Sequence, residues 1–296
     1  MYYLLSLFTG ILISVMIAFN GGLTEQYGVY SAAVIIHIVG LILISVSAII
    51  KRDKPFVALL AKHPWYLFLG GAIGVFTTLA INFAFTRISV SAILALGLLG
   101  QSVSGLVVDQ YGLLGMPKYR FSKGKLIGLV LIVGGILPMI TDFAIAAVIM
   151  SFAAGVSIVA SRTFNARLFQ VTNIRISSFY NYFVGLTVCI PVFLILGREE
   201  AFFVGADFTP LMQNQWIYFG GAVGLLVVLL TNVTVVKVSA FYLTLLVFIG
   251  QIFSGILIDV IITGQLHPGN LIGGTFVSVG LIFNLYLDYR KSRGGA

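Results

Sequence analysis

Apolar residues follow one another almost without a break for about 17–25 positions at a time, the length a helix needs to cross a hydrocarbon layer about 30 Å thick. Ten such runs succeed one another, at about 2–22, 28–50, 64–86, 88–111, 123–141, 143–168, 175–197, 214–236, 238–262 and 269–289. Each predicts a membrane-crossing helix, because backbone amides in lipid must be paired within their own segment. The intervening segments are too short to bury a core, so the chain predicts a single membrane-embedded unit, all α. The first run lacks a basic leader and a small-residue cleavage site, and reads as a retained helix.

Composition agrees with this setting: 59% of the 296 residues are hydrophobic and 9% charged, against about 25% charged in soluble domains. Cys189, the only cysteine, excludes an intrachain disulfide. Charge then orients the predicted spans. If both termini lie on one side, that side collects 15 of the 17 Lys and Arg, leaving Arg87 and Arg198 on the other. Basic residues in short loops stay in the cytoplasm, so both termini of this multi-pass protein are expected there. The net charge of +8 is loop charge facing anionic lipid and implies no nucleic acid.

The pattern is written twice. A shift of 150 residues sets Gly70, Gly71, Ala72 and Gly74 on Gly220, Gly221, Ala222 and Gly224, and Asn82 on Asn232. The same shift sets Gly100, Gln101, Ser104, Gly105 and Asp109 on Gly250, Gln251, Ser254, Gly255 and Asp259. A shift of 145 aligns Ser6, Gly10, Phe19, Asn20, Leu23 and Gly40 with Ser151, Gly155, Phe164, Asn165, Leu168 and Gly185. It also aligns Gly124, Gly128 and Gly135 with Gly269, Gly273 and Gly280. The expected organisation is a five-helix repeat over 1–141 and a second over 142–296. Five is odd, so the second copy should enter the membrane from the opposite face, as in transporters with inverted repeats. The basic residues concur: the loops after the second and fourth runs carry eight Lys or Arg, and their counterparts in the second copy carry only Arg198.

Asn20 with Leu23, "GGAIG" after Trp65, "GQSVSGLVVDQYGLLG" and a basic loop before "GKLIG" resemble the YdcZ-like family of the drug/metabolite transporter superfamily, whose members are described as inner-membrane exporters. The chain is similar to a fused, double-length member over nearly its whole length. In that family a Gln commonly stands one turn before the first-helix Asn; here Met16 and Ser161 occupy those positions. The resemblance implies the ten-helix fold of the superfamily, with spans 1, 3, 4, 6, 8 and 9 around a central cavity and spans 5 and 10 peripheral.

Within the fourth run, Gln101, Ser104, Gly105 and Asp109 fall within roughly 140° of one helix face. Eight residues climb about 12 Å, which sets Gln101 near mid-membrane and Asp109 at a boundary. Gln251, Ser254 and Asp259 repeat the arrangement. Amides in hydrocarbon seek partners, so both Gln should face the bundle. Two readings stand for them: helix-to-helix glue or cavity lining. For Asp109 and Asp259 the alternatives are capping, or pairing with Lys118 or Lys123, against gating or coupling at either end of a pathway. Asn20 and Asn165 either line a vestibule or cap helices. His37, with repeat mate Tyr182, is either a hydrogen-bonded contact or part of a relay. Arg162 either snorkels or meets an anion. The glycine steps Gly70/Gly74 and Gly220/Gly224 predict close helix packing.

Small multidrug-resistance proteins, distant members of the superfamily, carry a glutamate inside their first helix; here that run offers Thr9, Ser14 and Asn20. A cation–proton antiporter of that kind is not expected, and a neutral or zwitterionic solute fits amides, hydroxyls and aromatics better. No metalloprotease, nucleophile-elbow or P-loop pattern occurs, so neither an enzyme nor ATP-driven transport by this chain alone is expected. No cofactor or metal is called for. The expected function is a secondary-active exporter of a small organic solute or metabolite working by alternating access. The alternative is a non-transporting subunit of a lipid-modifying or lipid-flipping complex. Expected partners are the solute, the bilayer and, as an option, a second copy of the chain as a homodimer.

Overall fold

A computed structural model describes residues 1–51, 63–111, 125–139, 144–200, 215–235 and 240–294. Among these residues every regular element is helical. The ten α-helices are α1 (Tyr2–Tyr27), α2 (Val29–Ile50), α3 (Leu69–Phe85), α4 (Val90–Tyr111) and α5 (Lys125–Ile136), then α6 (Ile145–Val171), α7 (Ile174–Leu196), α8 (Gly220–Val235), α9 (Ala240–Thr263) and α10 (Pro268–Gly294). Tight 3₁₀ turns at Trp65–Phe68 and Gln215–Phe219 lead into α3 and α8. The expected spans end within five residues of these limits. Among the described residues seven helical stretches are long and apolar enough to cross a membrane, and Leu126–Met139 and Gln215–Thr231 are shorter apolar helices.

Many hydroxyl residues inside the helices do not interrupt them, because they donate back to the preceding turn: Ser6 to Tyr2 O at 2.9 Å, Ser45 to Leu41 O at 2.6 Å and Thr234 to Leu230 O at 2.8 Å. Such pairing removes most of the cost of a hydroxyl in lipid. The largest departure from expectation at the start of the chain is α1, which continues to Tyr27 through Gly21, Gly22 and Thr24. Those glycines mark close packing rather than a helix end. A Cβ at Gly21 would overlap the Phe85 ring, and one at Gly22 would meet Ile217 and Trp216.

Two compact units form. One comprises Met1–Val15, Arg87–Val156 and Leu230–Ala296, and the other Met16–Thr86 and Ser157–Leu229. In the first unit α5 lies along α10, α4 along α9, and α9 beside α10. Glycine makes these approaches. A Cβ at Gly135 would press on Gly273 O and Val277, and one at Gly280 on Gly128 O and Leu131. Burial by backbone-to-backbone contact of this kind drives helix association where lipid is as apolar as leucine.

In the second unit α2 and α3 both pack on α7. Its core consists of small clusters, including Ala33, Val34, Val75, Cys189 and Phe193 in one and Leu67, Phe68, Leu168, Ile176 and Tyr180 in another. Large apolar side chains such as Ile42, Ile49, Val130, Ile149, Leu257 and Ile261 stay exposed. In a membrane those faces meet lipid at no cost.

Candidate functional site

In the first unit the candidates sit on two helix crossings. At the crossing of α1 with α9, Gly10 leaves room for Val247 O and the backbone amide of Gln251. One turn further, Ser14 Oγ donates to Gln251 O at 2.8 Å and Ser254 Oγ donates to Ser14 Oγ at 2.9 Å. At the crossing of α6 with α4, Gly155 leaves room for Gly97 O and the amide of Gln101, and Gly100 for Phe152 O. The sequence shifts relate these contacts position by position: Gly10 to Gly155, Val247 to Gly97, Gln251 to Gln101. The hydroxyl bridge has no such counterpart, because Val159 stands where Ser14 would be. Ser104 instead bonds within its own helix, to Gly100 O at 2.8 Å.

Gln251 is only 8% exposed. Gln101 is half-buried and donates to Gly97 O at 3.3 Å. Asp259, 4% exposed, accepts from Val90 N at 2.7 Å, Ser91 N at 3.0 Å, Ser91 Oγ at 2.5 Å and Asn270 Nδ2 at 3.4 Å. Its carboxylate thereby caps the start of α4, where the unpaired amides and the helix dipole favour an anion. Asp109 lies on α4, its side chain outside the described residues, as are Lys118 and Lys123.

In the second unit the paired asparagines make paired contacts. Asn165 lays its side-chain oxygen against Gly70, and Asn20 lays its own against Gly220, so a Cβ at either glycine would collide with it. The surroundings differ. Asn165 Nδ2 donates to Asn181 Oδ1 at 2.8 Å and lies 3.4 Å from Ser161 Oγ, which in turn donates to Gly70 O at 2.8 Å. The residues that correspond to Asn181 and Ser161 in the first copy are Ile36 and Met16. Asn20, 7% exposed, therefore keeps a buried oxygen with no hydrogen-bond partner among the described residues. A buried acceptor left this way costs about 1–3 kcal/mol. Around it, Phe19 and Trp216 pack with ring centroids 5.5 Å apart. One turn along α8, Gly224 faces Tyr182 Oη and Met16 Sδ.

His37 and Tyr182 meet edge to face at 6.0 Å. His37 Nδ1 donates to Ala33 O at 2.7 Å and lies 3.5 Å from Cys189 Sγ. Arg162 is on an exposed face of α6. Among the described residues, no group of three His, Cys, Asp or Glu is placed to hold a metal.

The eleven sequence candidates thus divide between two sets. Gln101, Ser104, Gln251, Ser254 and Asp259 belong to the first unit with Asp109, while Asn20, Asn165, His37, Tyr182 and Arg162 belong to the second. Sequence reasoning missed Ser14, Asn181 and the hydroxyl pair Thr77–Ser157, 2.6 Å apart. A signal existed. All of these are polar in one copy and apolar in the other, opposite Val159, Ile36, Val227 and Leu12.

Comparison with known proteins divides the chain into its two consecutive halves. Residues 1–138 and, separately, 146–283 match the family described as "Putative inner membrane exporter, YdcZ". No curated protein matches. A solved structure, described only as the crystal structure of a protein, superposes with a TM-score of 0.62 at 15% identity, covering 98% of each chain. At that identity it shows a shared fold alone. With both halves matching one family, the chain belongs to the YdcZ family of inner-membrane exporters, in double-length form, and is a multi-pass transmembrane protein.

Proposed function

We propose that the protein is a secondary-active exporter that moves a small neutral or zwitterionic organic solute by alternating access. On this reading the two halves are inverted five-helix repeats with both termini in the cytoplasm. The observation that carries it is the pairing of contacts at positions related by the repeat. Asn20 meets Gly220 as Asn165 meets Gly70, and Gly10 meets α9 as Gly155 meets α4. Contacts duplicated in this way are what two inverted copies of one fold would make, and exchange of their conformations is the basis of alternating access in such proteins.

The solute-binding candidates are polar side chains held inside each unit: Gln101, Gln251, Ser104 and Ser254 in one, Asn20, Asn165, His37 and Tyr182 in the other. Amides and hydroxyls are the prevalent polar groups, and the unpartnered Asn20 oxygen suits an N–H or O–H donor on the solute. Asp259, Asp109 and Arg162 are assigned to gating or coupling. The test begins with a thermal-shift screen of a metabolite library on purified protein, since a ligand that binds only the folded state raises its melting temperature. A stabilising metabolite is then followed in proteoliposomes. The Q101A/Q251A double variant should fold and lose flux; full flux in that variant would overturn the assignment of the glutamines.

A further inference from the structure

The polar contacts of α6 with its neighbours lie in one line. Ser157, Ser161 and Asn165 are four residues apart, so they share a face of α6 and span about 12 Å along it. Opposite them on α3 stand Gly70, Gly74 and Thr77, and Asn181 of α7 closes the side. Hydrogen bonds follow the line: Thr77 Oγ1 and Ser157 Oγ are 2.6 Å apart, Ser161 Oγ donates to Gly70 O at 2.8 Å, and Asn165 Nδ2 donates to Asn181 Oδ1 at 2.8 Å. All of these residues belong to one unit.

Helix packing alone does not call for such a strip. In the same unit the related crossing of α1 with α8 keeps the asparagine-on-glycine contact, Asn20 on Gly220, as Asn165 lies on Gly70. There Leu12, Met16, Ile36 and Val227 stand in place of Ser157, Ser161, Asn181 and Thr77. Apolar side chains thus serve one crossing, and the polar ones at the other have a further use. Glu200, just beyond α7, is a different case. Its carboxylate accepts from Ser31 N at 2.7 Å and from Ser31 Oγ at 2.8 Å, and so caps the first turn of α2.

Ser157 lies near the middle of α6 and Asn165 nearer its end, while Gly70 and Asn181 lie in the first halves of α3 and α7. The strip therefore leads from mid-membrane toward the side where α6 ends, which in a ten-span protein is the side of the chain termini. Thr77, Ser157, Asn165 and Asn181 are half-buried. Hydroxyls and carboxamides at this depth are costly to turn toward hydrocarbon, so their uncovered part calls for water or a solute. Gly74 keeps side-chain bulk away from them: a Cβ there would stand 3.6 Å from Ser161 Oγ and 3.8 Å from Asn181 Oδ1, both ordinary contacts.

We infer that Asn165, Asn181 and Ser161, with Gly74, form a solute site reached from the side of the termini, for an uncharged molecule that carries hydroxyl or amide groups. Amides and hydroxyls both donate and accept, and suit a polyol or a carboxamide. An ammonium or carboxylate would find no counter-charge among these side chains. The site's part in transport rests on the exporter reading; its chemistry does not.

The test uses the full chain in sealed vesicles of known orientation, with S157C in a C189A background and a membrane-impermeant maleimide. S157C should label from the side of the termini. Sorbitol or acetamide should slow that labelling several-fold relative to a cysteine appended at the C-terminus, whereas tetramethylammonium and acetate should not. G74A, whose methyl meets its neighbours at ordinary distances, should melt no lower than its parent and lose the protection, and N181I, which installs the residue of the first copy, should lose it too. Absence of labelling from that side, absence of protection by both neutral probes, equal protection by the charged ones, or full protection in G74A and N181I would each overturn the site. Protection in a protein that moves no solute in proteoliposomes would support the site and remove the transport reading; flux of a stabilising metabolite without protection would do the reverse.

Discussion

Asn20 and Asn165 occupy related positions on α1 and α6, and each lays its side-chain oxygen on the glycine that opens or precedes the next crossing, Gly220 or Gly70. Truncating either to alanine deletes the same atoms from nearly the same setting, so the packing loss is common to both. The hydrogen bonds are not. N165A removes the 2.8 Å bond to Asn181 Oδ1 and leaves that oxygen without its donor. Bonds between helices in membranes average about 0.6 kcal/mol, and an acceptor left unsatisfied adds up to about 1–3 kcal/mol. N20A removes an oxygen that already lacks a partner, so it relieves a penalty of that same order. N165A should therefore be less stable than N20A by at least about 1 kcal/mol, with N20A close to or above the wild type. The assay is unfolding by SDS titration in mixed micelles, followed by tryptophan fluorescence. Trp65 and Trp216 are the only tryptophans, and both lie in the unit that holds the two asparagines. Equal shifts of the two midpoints, or a larger loss in N20A, would refute the argument that one asparagine is satisfied and the other is not. Flux completes the comparison: if the Asn20 oxygen awaits a solute donor, N20A should be stable and inactive, a trade of activity for stability.

The helix crossings make sharper contrasts. A Cβ at Gly155 would overlap Gly97 O, whereas nothing lies within 4 Å of one at Gly105; G155A should lose about 1–3 kcal/mol in the same titration and G105A none, with up to about 1 kcal/mol gained from helix propensity. Ser14 bridges α1 to α9 through two hydrogen bonds while Ser104, among the described residues, bonds within α4, so S14A should cost about 1 kcal/mol and S104A much less. The basic loops predict a cytoplasmic C-terminus, so a C-terminal green-fluorescent fusion should fluoresce and an alkaline phosphatase fusion should be inactive; the opposite pattern would invert the assignment.

Helix number and limits were legible because lipid imposes them. A run of apolar residues long enough to cross has little choice but to be a helix, and the ends of α2 and α7, and of α3 and α8 taken with the 3₁₀ turns that lead into them, lie within one residue of the expected values. The partition into units was not legible. It places residues 1–15 and 16–27 of α1 in different units, and joins α4 of one copy to α9 of the other. Nothing in local hydropathy encodes which helix meets which. The candidate residues were found by looking for polar groups that recur, and that criterion selects Gln101, Gln251, Asn20 and Asn165. It passes over Ser14, Asn181 and Glu200, which matter because they do not recur. Recurrence marks what the fold needs in both copies; its failure marks where the two copies have been given different work.

That distinction has a physical basis. The contacts shared by both copies are made largely by glycine against backbone oxygen: Gly10 on Val247, Gly155 on Gly97, Gly250 on Leu7, Gly100 on Phe152. Such contacts fix how closely helices cross and leave little room for variation, since any side chain at these positions would meet main chain. The contacts found in one copy only are made by polar side chains: Ser14 with Ser254, Asn165 with Asn181, Glu200 with Ser31. They add one-sided terms of about 1 kcal/mol each without altering the crossings. If the halves exchange conformations, backbone contacts alone would leave the two forms equal in energy, and a few polar contacts of this size are enough to shift their populations about tenfold. In such an exchange glycine would make both forms geometrically possible, and polar contacts of this kind would set which of them is the more populated.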